Sequence, residues 1–336
     1  AQGSTGSLAI TGYVETYYTY DFNKPAGHDR SGFIYSHNRH NEFNLNLGFI
    51  KAAYTAQRVR ANLALGAGTY MNANYAAEPG VLKNLVEANA GIRISKEKNL
   101  WVDAGIMPSH IGFESAVSKD CWNLTRSILA DNSPYFEAGA KLTYTTDDGK
   151  WLLSAMALNG WQRITSVPGN SRISWGTQVQ YKPSGKVLLN YSTFSGTDKP
   201  DSARLSRLFH NIYGVFNITD RWGITAGFDI GTEEKLPGSN QKNTWYAPVL
   251  ILRYAFNTKW ALAARAEYYH DKNGVIVAVA SPNGFRVSGY SLNLDHSPAK
   301  NVLVRMEIRR LQSPDALFTK PGGTTRNNTF FTTSAA

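Results

Sequence analysis

The chain contains no run of 18 apolar residues, so no helical segment of it is long and apolar enough to cross a bilayer. Its one cysteine, Cys121, rules out an internal disulfide and any metal cluster built on cysteine ligands. Heptads and extended amphipathic helical patterns are missing. No nucleic-acid motif accompanies the formal charge of +10, which alone would suit nucleic acid, anionic lipid or anionic solutes. Ser, His and Asp are abundant, yet no nucleophile-elbow motif occurs. His37 and His40 stand three apart in a polar stretch without a Cys or carboxylate companion at ligand spacing. These absences lead us to expect no catalytic residue, no metal, no cofactor and no nucleic-acid partner. They leave a barrel open, because a barrel strand needs apolar residues only at alternate positions.

That alternation is what the chain has in quantity. From Asn243 the sequence runs N-T-W-Y-A-P-V-L-I-L-R-Y-A-F, turns at N-T-K, and returns as W-A-L-A-A-R-A-E-Y-Y-H-D. On the return leg Trp260, Leu262, Ala264, Ala266 and Tyr268 share one parity, while Arg265, Glu267 and Asp271 share the other. Period-2 alternation marks a strand with one apolar and one polar face. Each leg is long enough to cross a bilayer when tilted, since about 9–11 residues suffice. Comparable segments recur along the whole chain. Short turns fall near residues 57, 97, 148, 184, 220, 258 and 299, and longer polar loops separate the hairpins. One set of short turns alternating with one set of long loops predicts an all-β fold: a transmembrane antiparallel up-and-down barrel of about 16 strands, with short periplasmic turns and long extracellular loops. Residues 1–336 read as one domain with a flexible lead-in over 1–7, and Ala1-Gln2-Gly3 is compatible with a processed secretory start. Alternation is poorest over 161–219. Trp101, Trp151, Trp222 and Trp260 follow short turns, and Tyr54, Tyr144, Tyr181 and Phe256 precede them, as an interfacial aromatic band requires.

On the polar parity we place Arg60, Arg93, Lys141, Arg172, Arg253, Arg265, Arg305 and Arg309. Facing them are Glu15, Glu42, Glu87, Asp103, Glu137, Asp229, Glu267, Asp295 and Glu307. These charges line a water-filled lumen and shape the field for passing solutes, or they pair off and knit the inner wall; both hold together. A packed apolar interior would not tolerate so many charges unpaired. Arg305 and Arg309, four apart on one strand, are expected to form a local cluster giving weak anion preference, with Arg126 as partner. The longest break in the strand pattern, 107–133, carries Ile111, Phe113, Val117, Trp122, Leu124, Ile128 and Leu129 without period 2. A loop of that length with apolar content packs somewhere. We expect it to fold into the lumen and narrow it, presenting His110, Glu114, Lys119, Asp120 and Arg126; the competing reading is an external cap. Cys121, between Asp120 and Trp122, reads as a buried small residue.

The segment A-G-I-M-P-S-H-I-G-F-E-S-A, followed by W-N-L-T-R-S-I-L-A-D-N-S-P-Y-F-E-A-G-A-K-L-T-Y, resembles the Bacteroidota β-barrel porins of the OmpL-like group. The opening G-Y-V-E-T-Y-Y-T-Y-D-F-N-K-P also looks like the first strand of those proteins. The resemblance spans the chain, with 103–145 its distinctive part. It implies a bacterial outer-membrane porin passing small hydrophilic solutes or ions by diffusion, and it carries over no catalytic residue. Barrels of this kind end in a terminal aromatic, whereas this chain stops at Ser334-Ala335-Ala336. The alternatives are a plugged structural barrel in a larger envelope assembly, or a barrel lipid hydrolase. Expected partners are outer-membrane lipid or lipopolysaccharide and the solutes themselves; self-association and envelope-assembly partners stay open.

Overall fold

The computed structural model describes residues 6–336. The lead-in expected over 1–7 therefore lies mostly outside the described residues, and Ser7 already belongs to the first strand. Eight strands form the first half of the ring: β1 (Ser7–Asp21), β2 (Phe43–Thr55), β3 (Val59–Ala67), β4 (Leu85–Arg93), β5 (Asn99–Pro108), β6 (Phe136–Thr145), β7 (Trp151–Leu158) and β8 (Ser174–Ser184). The second half comprises β9 (Val187–Gly196), β10 (Arg207–Asn217), β11 (Trp222–Glu234), β12 (Lys242–Ala255), β13 (Trp260–Asp271), β14 (Phe285–Ala299), β15 (Val302–Gln312) and β18 (Asn327–Ala335). Between the last two, β16 (Phe318–Lys320) and β17 (Gly323–Thr325) make a separate ribbon in a long loop. Two short helices, α1 (Thr69–Asn74) and α2 (Ile128–Asp131), lie in long connections.

Sequence neighbours pair antiparallel around a closed barrel, and β18 completes it by pairing with both β15 and β1. Phe331 stands opposite Ile308 on one side and Tyr20 on the other. Ser334 and Ala335 continue that double pairing, so the aromatic-free end does not disturb closure. Closure is obligatory in hydrocarbon, where an unpaired sheet edge has no water to satisfy it. The seven short turns occupy 56–58, 94–98, 146–150, 185–186, 218–221, 256–259 and 300–301, each within a residue of where the sequence places it.

Parity decides the faces. On β12 Leu250 and Leu252 point outward and stay 44% and 40% exposed, while Val249 and Ile251 point inward and are buried. Outward rings gather at the short-turn end. Trp151 stacks on Tyr181 at 4.2 Å, Trp222 lies 4.6 Å from Tyr254, and Trp260 stacks on His296 at 4.0 Å. Trp101 departs from the expected band. It sits opposite Arg93 on the inner face, with the Arg60 guanidinium 4.3 Å from its ring centroid. It shares parity with Asp103, which binds Arg60, and that contact takes the ring inside.

The weak alternation over 161–219 also has a cause. Residues 159–173 are a long loop that turns at Val167–Asn170 and folds over the barrel mouth, with Trp161 edge-on to Phe194 and Phe209. Arg172, expected on the wall, lies in this loop ahead of β8 and is exposed.

A cation on the lipid face should be costly at mid-depth and cheap near a turn. Leu292, outward in the middle of β14, is 48% exposed, and Val302 begins β15 beside a turn. Leu292→Arg should destabilise the barrel by about 2–4 kcal/mol and Val302→Arg by about 0–1 kcal/mol, read from urea-titrated folding into lipid vesicles. Equal costs would refute the assigned depth.

Candidate functional site

The interior is organised by residues 109–135, which leave β5, cross the lumen and return to β6. The loop does not cap the barrel from outside. Irregular backbone in a barrel interior has its own amides and carbonyls to satisfy, and the wall satisfies them with charged side chains. Arg305 donates from Nη1 to the Ser118 carbonyl at 2.6 Å and from Nη2 to the Cys121 and Trp122 carbonyls at 3.0 and 3.1 Å. Arg265 donates to the Thr125 carbonyl at 2.6 Å, and Arg309 to that of Arg126 at 2.9 Å. The wall carboxylates take the loop amides: Glu307 accepts from Thr125 at 2.6 Å, and Glu267 from Ile128 at 2.7 Å. Asn293 and Asn211 add their side-chain oxygens to the amides of Leu124 and Gly112, both at 3.1 Å.

With Asp295 of β14, the five charged clamp residues also neutralise one another. Arg309 Nε donates to Glu267 at 2.8 Å, Arg265 lies 3.0 Å from Glu307, and Arg305 binds Asp295 at 2.7 Å. Ion pairs this deep persist only when hydrogen bonds occupy most of their remaining donors and acceptors. Here loop backbone supplies them, save for Arg265 Nε, which only approaches Glu267 at 3.4 Å. Arg126 folds the loop on itself, donating to the carbonyls of Ser115 at 2.6 Å and Leu124 at 2.7 Å. Burial acts against its charge, but surrounding anionic groups hold its pKa above the ordinary value. Glu114 accepts from the Ser127 amide and hydroxyl, and Ser127 in turn caps α2 by accepting from Ala130 at 3.1 Å. Close approach is needed on β11, where Gly223 and Gly227 face the loop. A Cβ on Gly223 would meet the Trp122 ring at 2.6 Å, and one on Gly227 the Phe113 ring at 2.5 Å.

At the loop's start His110 Nδ1 lies 2.7 Å from Glu137 and its Nε2 lies 2.8 Å from the Thr193 carbonyl. Burial alone would depress the imidazole, but the Glu137 charge and both hydrogen bonds outweigh it and raise the pKa. Cys121 is buried, and desolvation pushes its thiol pKa up, as for an inert packing residue.

The clamp makes the interior lopsided. Inward residues of β10 to β15 that lie against the loop are almost sealed, with Asn211 0%, Val249 4%, Ala263 1% and Glu307 0% exposed, while Arg253 and Asp295 towards the short turns border an open space. On β2 to β8 the inward Leu47, Ala64, Glu137, Met156 and Leu158 are also buried, but Lys51, Arg60, Asn62, Asn89, Lys141, Thr143, Gln178 and Gln180 are half-exposed and keep water contact.

The residues singled out from sequence divide accordingly. Arg265, Arg305, Arg309, Glu267 and Glu307 face inward but are withdrawn from solvent, as is Arg126. The arginines expected to form a selectivity cluster offer no surface to a passing solute, because their donors are spent on loop carbonyls. Arg60 and Asp103 pair at 2.6 Å on the open side, and Glu87 pairs there with Lys51. Lys141 makes no ion pair among the described residues. Arg93 faces inward near a turn and donates to the Lys98 carbonyl at 3.1 Å; Arg253 is half-buried near another. Asp229 is buried and accepts from Asn211 at 2.6 Å. Lys119 and Asp120 pair at 2.6 Å in the exposed part of the loop. His37 is buried against Glu15 at 3.3 Å, and His40 Nδ1 accepts from the Asp21 amide at 2.9 Å. Among the described residues no His, Cys, Asp and Glu group is arranged to hold a metal. Glu42 pairs with Arg39 in the loop before β2. Lys51, Asn211, Asn293 and the β11 glycines were not foreseen; their signal was inward parity shared with the charged residues.

A family model described as "Putative beta-barrel porin-2, OmpL-like" matches residues 7–336. Among solved structures, an anion-selective porin from Comamonas acidovorans superposes with a TM-score of 0.63 at 9% identity, covering 98% of this chain and 99% of that one. The outer membrane channel DcaP of Acinetobacter baumannii gives 0.60 at 12% identity, covering 98% and 97%. The trimer form of OmpT, an outer membrane protein of Vibrio cholerae, gives 0.59 at 11% identity, covering 99% of each chain. At these identities the likeness speaks to the fold. No curated protein matches the sequence.

Two outcomes follow from the clamp. Arg309→Met leaves Glu267 without a donor it needs, and removing one partner of a buried pair costs about 3–5 kcal/mol. Unfolding in denaturant should show that loss, whereas Lys119→Met on the exposed part of the loop should stay within about 0.5 kcal/mol. The raised His110 pKa stabilises the native state fully below the ordinary histidine range of about 6.5. That contribution is lost as pH rises through the raised value, so stability should fall on the alkaline side and the loss should vanish in His110→Gln. An unchanged pH profile in that variant would show that His110 is not the source.

Proposed function

The chain belongs to the OmpL-like family of β-barrel porins, and from that premise we propose that it is a non-enzymatic diffusion channel whose passage runs along β2 to β8. The barrel is a bacterial outer-membrane protein, with its short turns at the periplasmic end and its long loops outside. The observation that carries the proposed route is the uneven exposure of the inner wall. Half-exposed polar side chains run along β2 to β8, from Lys51 to Gln180, whereas the side chains of β13 to β15 that grip the loop are sealed from water. Polar side chains on a water-filled wall suit small hydrophilic solutes and ions.

Selectivity rests on the charges that solutes can reach. Lys51 and Arg60 are each matched by a carboxylate, while Lys141 has none among the described residues. The clamp residues are sealed from water and, counted with Asp295, cancel in charge. The +10 of the chain sits mostly in loops and turns, where salt screens it beyond about 8 Å at physiological ionic strength. The passage therefore has a weak preference for anions, centred on Lys141. The 103–145 segment supports a Bacteroidota outer membrane as the setting. Outward Arg286 and Arg310, near the extracellular ends of β14 and β15, suit contact with lipopolysaccharide there. The dense clamp favours one rival, a plugged structural barrel.

Single-channel recording in planar bilayers separates the two. A diffusion channel gives steady conductance, and in a KCl gradient its reversal potential should indicate mild anion preference. Lys141→Glu should move that potential towards cations, and Lys119→Glu should move it far less. Absence of conductance from folded protein would favour the plugged barrel.

A further inference from the structure

Between the clamped loop and the open wall lies a chamber of about 370 Å³. On the wall side Lys51 of β2 and Glu87 of β4 hydrogen-bond to each other across β3. Asn89 holds the carboxylate from the far side, donating to Glu87 at 3.1 Å. Both charges keep a wet edge, with 30% of the Lys51 side chain and 10% of the Glu87 side chain exposed. The rest of the accessible lining is largely apolar: Phe49 and Val86 from the wall, Phe113 and Val117 from the loop. Glu114 also borders the chamber, but its carboxylate is committed to Ser127 and lies 3.6 Å from Arg265.

An isolated ammonium would favour anions and an isolated carboxylate cations. An ammonium and a carboxylate held side by side favour neither, and they complement a molecule carrying both charges in the opposite order. Apolar walls beside the pair reward a solute with an apolar side chain. They also lower the local dielectric, which strengthens each charge contact relative to bulk water. We propose that this chamber is a binding station for zwitterionic α-amino acids with apolar side chains, whose carboxylate meets Lys51 and whose ammonium meets Glu87. The proposal rests on the diffusion-channel reading and names a solute class for its passage. A bare halide lacks the apolar part, and a monocarboxylate or an amine leaves one wall charge unanswered.

The test uses the full-length protein in planar bilayers with L-phenylalanine and its two single-charge analogues, 3-phenylpropionate and 2-phenylethylamine. Phenylalanine should interrupt the KCl current at a concentration about tenfold lower than either analogue, since each lost charged hydrogen bond weakens binding by about that factor. The double variant Lys51→Met with Glu87→Gln should erase this ranking, and the reversed pair Lys51→Glu with Glu87→Lys should restore part of it. Equal block by all three compounds in the natural protein overturns the proposal without reference to any variant. A ranking that survives Lys51→Met with Glu87→Gln overturns it as well. If folded protein passes no KCl current, the channel reading fails, and calorimetric titration of the same three compounds into detergent-solubilised protein decides the chamber by itself. The phenylalanine preference there upholds it, and its absence overturns it.

Discussion

An irregular stretch of backbone inside a barrel has to find a partner for every amide and carbonyl, and water is scarce where it is packed. In this protein that requirement is met by the side chains of β13, β14 and β15. Arginines reach the loop carbonyls and glutamates reach the loop amides, so the wall acts towards the loop as a strand would act towards its neighbour. The same residues then cancel each other's charge. Neither half of the arrangement is stable alone, because the ion pairs without the loop are under-satisfied and the loop without them has orphaned backbone.

The asymmetry of the interior follows from where the clamp sits. Three adjacent strands hold the loop, β11 withdraws its side chains at Gly223 and Gly227 to admit Trp122 and Phe113, and half-exposed polar side chains remain along the opposite wall. The basic residues of the inner wall are therefore divided by neighbourhood rather than by type. Arg305 and Lys141 both point inward, yet one holds backbone and the other meets water. Counting wall charges cannot separate these roles.

Porins at 9% to 12% identity share this barrel because its demands on sequence are loose. Outward positions need only be apolar, inward ones only polar or small, and turns only short. Those demands were legible in the chain. Alternation, the positions of seven short turns and the outward Trp151, Trp222 and Trp260 each report a local property, and the strand number follows from them. The pattern failed where a contact overrode it: Trp101 went inside to meet Arg60, and Arg172 stayed in the loop that turns at Val167–Asn170.

The sequence alone therefore determined the membrane-spanning architecture, the strand number, the inward parity of most charged residues and the presence of an apolar long loop. These depend on spacing along one chain, to which periodicity gives direct access. The tertiary structure decided which wall the loop grips, which inward charges it consumes and which it leaves wet. Lys51 and Glu87 are 36 residues apart, and Thr125 and Glu307 are 182 apart. No local pattern encodes such meetings, because they depend on the closure of the whole ring and on the side of the lumen the loop takes.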